Sequence, residues 1–230
     1  MTLTAQETAL RYRPIKLATL LTDRVVIGVS GGKDSVAVLD LCHTAGLKCF
    51  GYFLYEVAGL SWQQEYLAYL SDRYDCPIKQ FPHPQRVTNL RDGYYCQPQG
   101  HLPPITFREC WEAARAHYGI EWIAGGEKKL DSLERRAQLV SWGSVQPARH
   151  RIFPLADWSH REVFAYLDRR RVRINPEYAL NDGKAFNGLT GGAALSAIRR
   201  AYPADYRRIL ADYPLADAAR LRHDAAHYQP

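Results

Sequence analysis

No cysteine follows Cys110 in this 230-residue chain, and no two of its five cysteines form a C-x-x-C pair. The odd set Cys42, Cys49, Cys76, Cys96 and Cys110 argues against a disulfide framework. Its spacing also lacks the clustered thiols that zinc or an iron–sulfur cluster needs, so neither is expected, and no metal-ligating residue is assigned. Cys42 and Cys49 read as small buried hydrophobes, whereas Cys96 and Cys110 stay open as reactive thiols. No apolar run approaches the roughly 18 residues of a membrane-spanning helix. The best stretch, around Cys49–Leu60, is interrupted by Glu56. The opening residues MTLTAQETALRYRP put charged and polar groups where a secretory signal has its apolar segment. The expectation is a soluble, cytoplasmic protein with no membrane partner. A hydrophobic content of 47% with 23% charged residues excludes a disordered or collagen-like chain.

The net charge of +6 is unevenly spread. Residues 1–120 carry 12 Lys/Arg against 11 Asp/Glu, while residues 121–230 carry 18 against 13. The local peak is Arg169, Arg170, Arg171 and Arg173. A basic second half suits an anionic partner, either a nucleotide or a nucleic-acid backbone. The same arginines also read as a solvated helix end that complements the helix dipole.

Residues 4–22 read as a leading helix, opened by a Thr4-x-x-Glu7 capping box and disturbed at Pro14. The β-branched run Asp23–Ser30 marks a buried strand. GGKDS turns the chain into SVAVLDLCHTAG, a helix that stops at Gly46. Leu47–Val57 is a second strand, Ser61-x-x-Gln64 caps the next helix, and Pro77–Pro82 is a third strand. His83–Pro104, rich in Pro, Gly, Gln and Tyr, reads as a long loop of the functional kind. Helix FRECWEAARAHYG, strand Ile120–Gly126, helix LDSLERRAQLV and a last strand candidate, Arg149–Asp157, follow. Ser159-x-x-Glu162 caps another helix, and the tail from Ala193 is helical with breaks at Pro203 and Pro214. Strands alternating with helices specify a parallel, twisted α/β sheet with helices on both faces. The expected organisation is a leading helix over 1–22, one nucleotide-binding domain over 23–180 and a helical C-terminal extension over 181–230.

Chemistry concentrates after the first strand, in Ser30-Gly31-Gly32-Lys33-Asp34-Ser35. Two glycines permit a tight turn, and their N–H groups with those of the first helical turn form a nest for an anion. Ser30 and Ser35 add hydroxyl donors and Lys33 a full charge. Asp34 reads either as a cap for the helix or as a group orienting Mg²⁺. A Walker loop fails here, because Ile27 and Asp34 stand where it needs Gly and Ser/Thr. A nucleophile elbow is formally matched by Gly28-Val29-Ser30-Gly31-Gly32. Only one strand is built by then, however, which is too early for an α/β-hydrolase.

SGGKDS directly after a first strand resembles the PP-loop of the N-type ATP pyrophosphatases. The likeness looks closest to the phosphoadenosine phosphosulfate (PAPS) reductase branch, which includes the ATP sulfurylase small subunit. That branch carries a G-x-R-x-x-E-S-x-x-R element. Here Gly126-Glu127-Lys128-Lys129-Leu130-Asp131-Ser132-Leu133-Glu134-Arg135 matches it, with Lys128 for Arg and Asp131 for Glu. Pro154-x-x-x-Trp158-Ser159 and Asn175-Pro176-Glu177-Tyr178 resemble two further elements, so the likeness spans roughly residues 25–180 of the chain. Trp158 also reads simply as a core aromatic.

The resemblance implies a Rossmann-like fold of the adenine nucleotide alpha-hydrolase type with ATP or PAPS as ligand, and Mg²⁺ where the ligand is ATP. It implies α–β cleavage of ATP to adenylate an unknown acceptor. Ser30, Lys33 and Ser35 would act on the phosphates and Gly31, Gly32 and Asp34 would cradle them. Gly126, Lys128, Ser132 and Arg135 would grip the other end, and Glu56 would sit near the adenosine. The branch's C-terminal Glu-Cys-Gly-Leu-His nucleophile and its paired cluster cysteines are missing, and Gly183–Ala193 offers glycines where many relatives have a cysteine-rich turn. A sulfonucleotide reductase would therefore need Cys96, Cys110 or a partner's thiol. A non-catalytic module binding a nucleotide, or a nucleic acid through its basic second half, is the other alternative, and a homo-oligomer is compatible with any of these.

Overall fold

The computed structural model of the chain describes residues 5–186 and 188–227. Thr4, and with it the expected capping box to Glu7, lies outside the described residues. The first strand, β1 (Arg24–Gly28), buries Val25, Val26 and Ile27 completely, as a central strand must. It pairs in parallel with β2 (Lys48–Tyr55) on one side and β4 (Ile123–Ala124) on the other. With β3 (Ile78–Pro82), β5 (Val145–Gln146) and β6 (Arg151–Ile152) they form one sheet of order β3-β2-β1-β4-β6-β5. β6 is parallel to β4, and β5 runs antiparallel to β6. This is the α/β, Rossmann-like sheet with helices that the alternation of periods specified. The chain builds outward from β1 through β2 to β3, then returns to β1's other side for β4. That reversal is the topological switch point, where open α/β sheets bind ligands at the carboxyl ends of their strands.

The helices among the described residues largely follow expectation. They are α1 (Ala5–Ala18), α2 (Lys33–Thr44), α3 (Ser61–Tyr74), α4 (Pro84–Asp92), α5 (Phe107–Tyr118) and α6 (Leu133–Trp142). After these come α7 (His160–Arg169), the short α8 (Glu177–Leu180), α9 (Gly192–Ala201), α10 (Pro203–Asp212) and α11 (Asp217–Ala226). None is long and apolar enough to cross a membrane. The Ser159–Glu162 capping box of α7 forms as read, with each side chain accepting the other residue's backbone N–H.

Four local expectations need correction. α1 runs unbroken through Pro14 and ends at Ala18, because Ile15 and Ala18 are buried and their packing outweighs the missing N–H. His83–Pro104 is not all loop, since α4 occupies its first half. His83 accepts the Gln85 N–H, Pro84 takes the first turn, and Gly93 closes it in the left-handed region at φ 78°. Ser61 does not cap α3 with its side chain. Its N–H and hydroxyl instead donate to Asp205 on α10, and Gln64 pairs with Gln80. β4 and β6 are only two residues each, and the two-residue β5 was not foreseen. A pair that short carries no readable period.

Contacts divide the chain into two compact units that interleave in sequence. One comprises residues 1–53, 69–79 and 111–173, and the other 54–68, 80–110 and 174–230. The first holds β1, β4, β5, β6 and the N-terminal part of β2. There α2 packs on β1 and α7, and Asp40 of α2, fully buried, accepts from Tyr74 at 3.1 Å, Tyr166 at 2.5 Å and Arg170 at 2.9 Å. The second unit has its own core of Leu60, Trp62, Leu195, Ile198, Ile209 and Tyr213.

Candidate functional site

β1 ends at Gly28, and the chain turns through Gly31, held at φ 79°, into α2. That left-handed value is where a side chain would clash, so glycine is required there. Ser30 Oγ accepts the Gly32 N–H at 3.3 Å and donates to Ser35 Oγ at 3.1 Å, while Ser35 donates to the Gly32 carbonyl at 2.9 Å. The two hydroxyls thus lace the turn. Beside it, β4 runs on into Gly125-Gly126. A Cβ on Gly126 would sit 3.2 Å from that of Asp34, so glycine permits the close approach of this strand end to α2.

A cavity of about 330 Å³ opens between these strand ends, at the switch point. Gly28, Ser30, Asp34 and Ser35 line it from the first turn, and Gly126, Glu127, Asp131 and Arg135 from the second element. Tyr52, Trp111 and Arg151 line it as well, with Ile123, Ala124 and Gly125 of the β4 end. The sequence motifs 30–35 and 126–135, far apart in the chain, therefore do meet in one place.

Several expected residues lie elsewhere. Lys128 is buried, with 1% of its side chain exposed, and its ammonium sits 2.9 Å from both Asp34 and Asp131. Lys33 is paired with the same Asp34 oxygen at 2.8 Å and lies over the ring of Phe164. Neither lysine lines the cavity. The capping reading of Asp34 is wrong: Gly32 is the N-cap of α2 and has no side-chain cap bond. Asp34 instead holds two ammonium groups on Oδ2 and leaves Oδ1 buried without a hydrogen-bond partner among the described residues. Ser132 caps α6, accepting the Arg135 N–H at 3.1 Å. Glu56 belongs to the other unit, where it accepts the Leu189 N–H at 3.1 Å.

Arg151, Trp111, Glu127 and Tyr52 were not singled out from the sequence. Arg151 stacks on the rings of Trp111 at 4.6 Å and Phe153 at 4.9 Å. Burial pulls its pKa down, against the favourable charge of Glu127 and together with the repulsion of Arg115 and Arg135. Arg151 opens β6, inside the strand expected over Arg149–Asp157, and nothing in the local sequence set it apart from its neighbours there.

The open readings elsewhere also resolve. Trp158 is a core aromatic, 3% exposed, edge-on to Tyr12 and Tyr166. Within the basic cluster, Arg170 is bound to the buried Asp40 and Arg173 lies over the Tyr69 ring, so part of that charge is structural. Cys96 and Cys110 are buried, and burial pushes both thiols up from their ordinary pKa. A nucleophilic cysteine needs the opposite shift.

A family profile described as "Phosphoadenosine phosphosulfate reductase domain" matches residues 24–209. A search of curated proteins finds no match. Among solved structures, the phosphoadenylyl-sulfate (PAPS) reductase from Candida auris superposes with a TM-score of 0.51 at 13% identity, over 78% of this chain and 93% of that one. The U34-tRNA thiolase NcsA from Methanococcus maripaludis, with its [4Fe-4S] cluster, gives 0.53 at 13% identity, over 96% of this chain and 80% of that one. The second corrects the cofactor expectation. A fold of this kind does carry an iron–sulfur cluster in that thiolase, so cysteine spacing alone is no ground for ruling one out. Among the described residues of this chain, no three His, Cys, Asp or Glu gather in a way that fits a metal.

Proposed function

Because the chain belongs to the phosphoadenosine phosphosulfate reductase domain family, we propose that it is an enzyme acting on an adenine nucleotide at the β1–β4 cavity. The reaction proposed is cleavage of ATP between the α and β phosphates, with transfer of the adenylyl group to an acceptor. The observation that carries this reading is the laced glycine turn opening on a polar cavity at the switch point of the sheet. Backbone N–H groups at the start of α2, which no side chain caps, supply charge-stabilising donors for departing pyrophosphate, and the Ser30–Ser35 lacing holds the turn that presents them. Arg135 faces the same space from the second element. Lys33 contributes through Asp34, whose carboxylate it offsets at the cavity wall. The buried, proton-retaining Cys96 and Cys110 speak against a reductase that uses its own thiols.

Thermal unfolding with ATP, PAPS and adenosine 3′,5′-bisphosphate tests this, followed by an assay for released pyrophosphate. ATP at a hundred times its dissociation constant raises the midpoint by roughly 5–10 °C for a chain of this size. Ser35→Ala, which unlaces the turn, is expected to cut that shift by at least half. Replacing Cys96 and Cys110 with serine is expected to leave pyrophosphate release unchanged. A shift with the 3′-phosphorylated ligands alone would move the assignment to sulfonucleotide chemistry. No shift with any of the three would sink the nucleotide reading and favour a nucleic-acid-binding module.

A further inference from the structure

Glu127 sits inside the cavity wall with a single oxygen, Oε1, between two guanidinium groups, 3.4 Å from Arg151 and 3.9 Å from Arg135. Elsewhere in the chain, the ion pairs of Arg86 with Asp212, Arg11 with Glu162 and Arg115 with Glu112 close to 2.5, 2.6 and 3.0 Å. Charge-assisted hydrogen bonds of this kind prefer about 2.7–2.9 Å. The Glu127 contacts are therefore long on both sides, and one carboxylate on a short stem reaches neither arginine fully. The Arg151 guanidinium packs over the Trp111 ring at 4.6 Å and the Phe153 ring at 4.9 Å, which favours keeping it where it is. Its donor edge alone remains available, in a place where burial makes its charge costly.

We infer that Arg135 and Arg151 form a seat for a tetrahedral oxyanion and that Glu127 is a tethered counter-anion occupying it until such a group displaces it. The ligand class is a phosphoryl or sulfuryl group on the substrate that enters the cavity. Its several oxygens can meet both guanidiniums closely at once, whereas the Glu127 oxygen holds Arg151 by a long 3.4 Å hydrogen bond and stands 3.9 Å from Arg135. Glu127 thereby sets specificity. A neutral group at that end of the substrate gains nothing by displacing it, and a weakly charged one gains little. The inference deepens the nucleotide reading above and rests on it only for the identity of the molecule that carries the oxyanion.

The test is calorimetric titration of the full-length chain with sodium sulfate, sodium pyrophosphate and adenosine at fixed ionic strength, for the wild type, Glu127→Gln and Glu127→Gln/Arg151→Gln. Removing the tethered charge is expected to tighten sulfate and pyrophosphate binding about three- to tenfold, the range of a part-exposed ion pair, and to leave adenosine unchanged. The double variant is expected to lose that gain. Sulfate binding that is unchanged or weaker in Glu127→Gln overturns the proposal, as does a gain that survives loss of Arg151. Should Glu127→Gln fail to fold by circular dichroism, Glu127→Asp draws the carboxylate back by one methylene and is held to the same direction. The two readings fail separately. Anion gain without adenosine or ATP binding keeps the seat and rejects the nucleotide, while ATP binding without the gain does the reverse.

Discussion

Two helices of this chain begin in nearly the same way. α2 follows Ser30-Gly31-Gly32 and α9 follows Thr190-Gly191, with Gly192 as its first residue. Their N-caps, Gly32 and Gly191, have almost equal backbone angles, φ −71° ψ 154° and φ −70° ψ 142°, and neither receives a side-chain cap. Their surroundings differ completely. Around α2's start lie two hydroxyls, a strand end and a polar cavity. At α9's start, a Cβ on Gly192 would meet the Ala219 carbonyl oxygen at 2.5 Å and the His223 Cβ at 2.6 Å. One glycine pair leaves room for a ligand, and the other leaves room for α11. Unsatisfied N–H groups at a helix start are common to all helices. What makes a candidate site is the empty, polar space in front of them, and α2 opens on such a space.

The contrast extends along each helix, and three substitutions test it. The largest effect is expected at Asp40, which ties the far side of α2 to Tyr74, Tyr166 and Arg170 while fully buried. Asp40→Ala removes the buried acceptor that Tyr74, Tyr166 and Arg170 share and is expected to cost about 3 kcal/mol in urea denaturation. A loss below about 1 kcal/mol, the level of an exposed pair, would mean that the network does not anchor α2. Gly192→Val comes next, with about 1–3 kcal/mol lost through overpacking against α11. Its affinity for ATP is expected to equal the wild type's by calorimetry, and a matching drop in affinity would erase the distinction between the two helix starts.

The smallest effect concerns acid. Asp217 of α11 is hydrogen-bonded to Arg220 first and Tyr206 second, and both hold its carboxyl below the ordinary range against the opposing effect of burial. A depressed carboxyl stabilises the fold fully above its unfolded pKa, and that contribution fades as pH falls through the folded value. Asp217→Asn should therefore be less stable than the wild type at pH 7, with the gap closing as pH falls below about 4. Thermal melts across pH 3–7 measure it, and a gap that stays constant with pH would show that the clamp on α11 is not ionic.

The start of α2 was legible because local signals agree there: a β-branched strand, a glycine pair and an apolar helical run directly after them. α4 was not, since its nine residues bury only Pro84, Asn89 and Leu90 and its punctuation is confined to His83, Pro84 and Gly93. The matched element 126–135 lines the same cavity as the loop, but the partners of its residues were not legible in sequence. Lys128 looked like a ligand for an anion and proved to be a buried partner of two carboxylates. Ser132 looked like a donor and proved to be a helix cap. A basic or hydroxyl side chain reads the same in sequence whichever partner it meets.

The sequence by itself determined the alternation of strands and helices, the position of the glycine turn and the family, because these rest on local period, backbone freedom and motif spacing. Only the tertiary structure decided which charges are free to act. Pairing depends on distances between residues such as Asp34 and Lys128, or Glu127 and Arg151, set by the order in which strands lie in the sheet. Charge type is written residue by residue, whereas neutralisation is a property of neighbours that the chain brings together only when it folds.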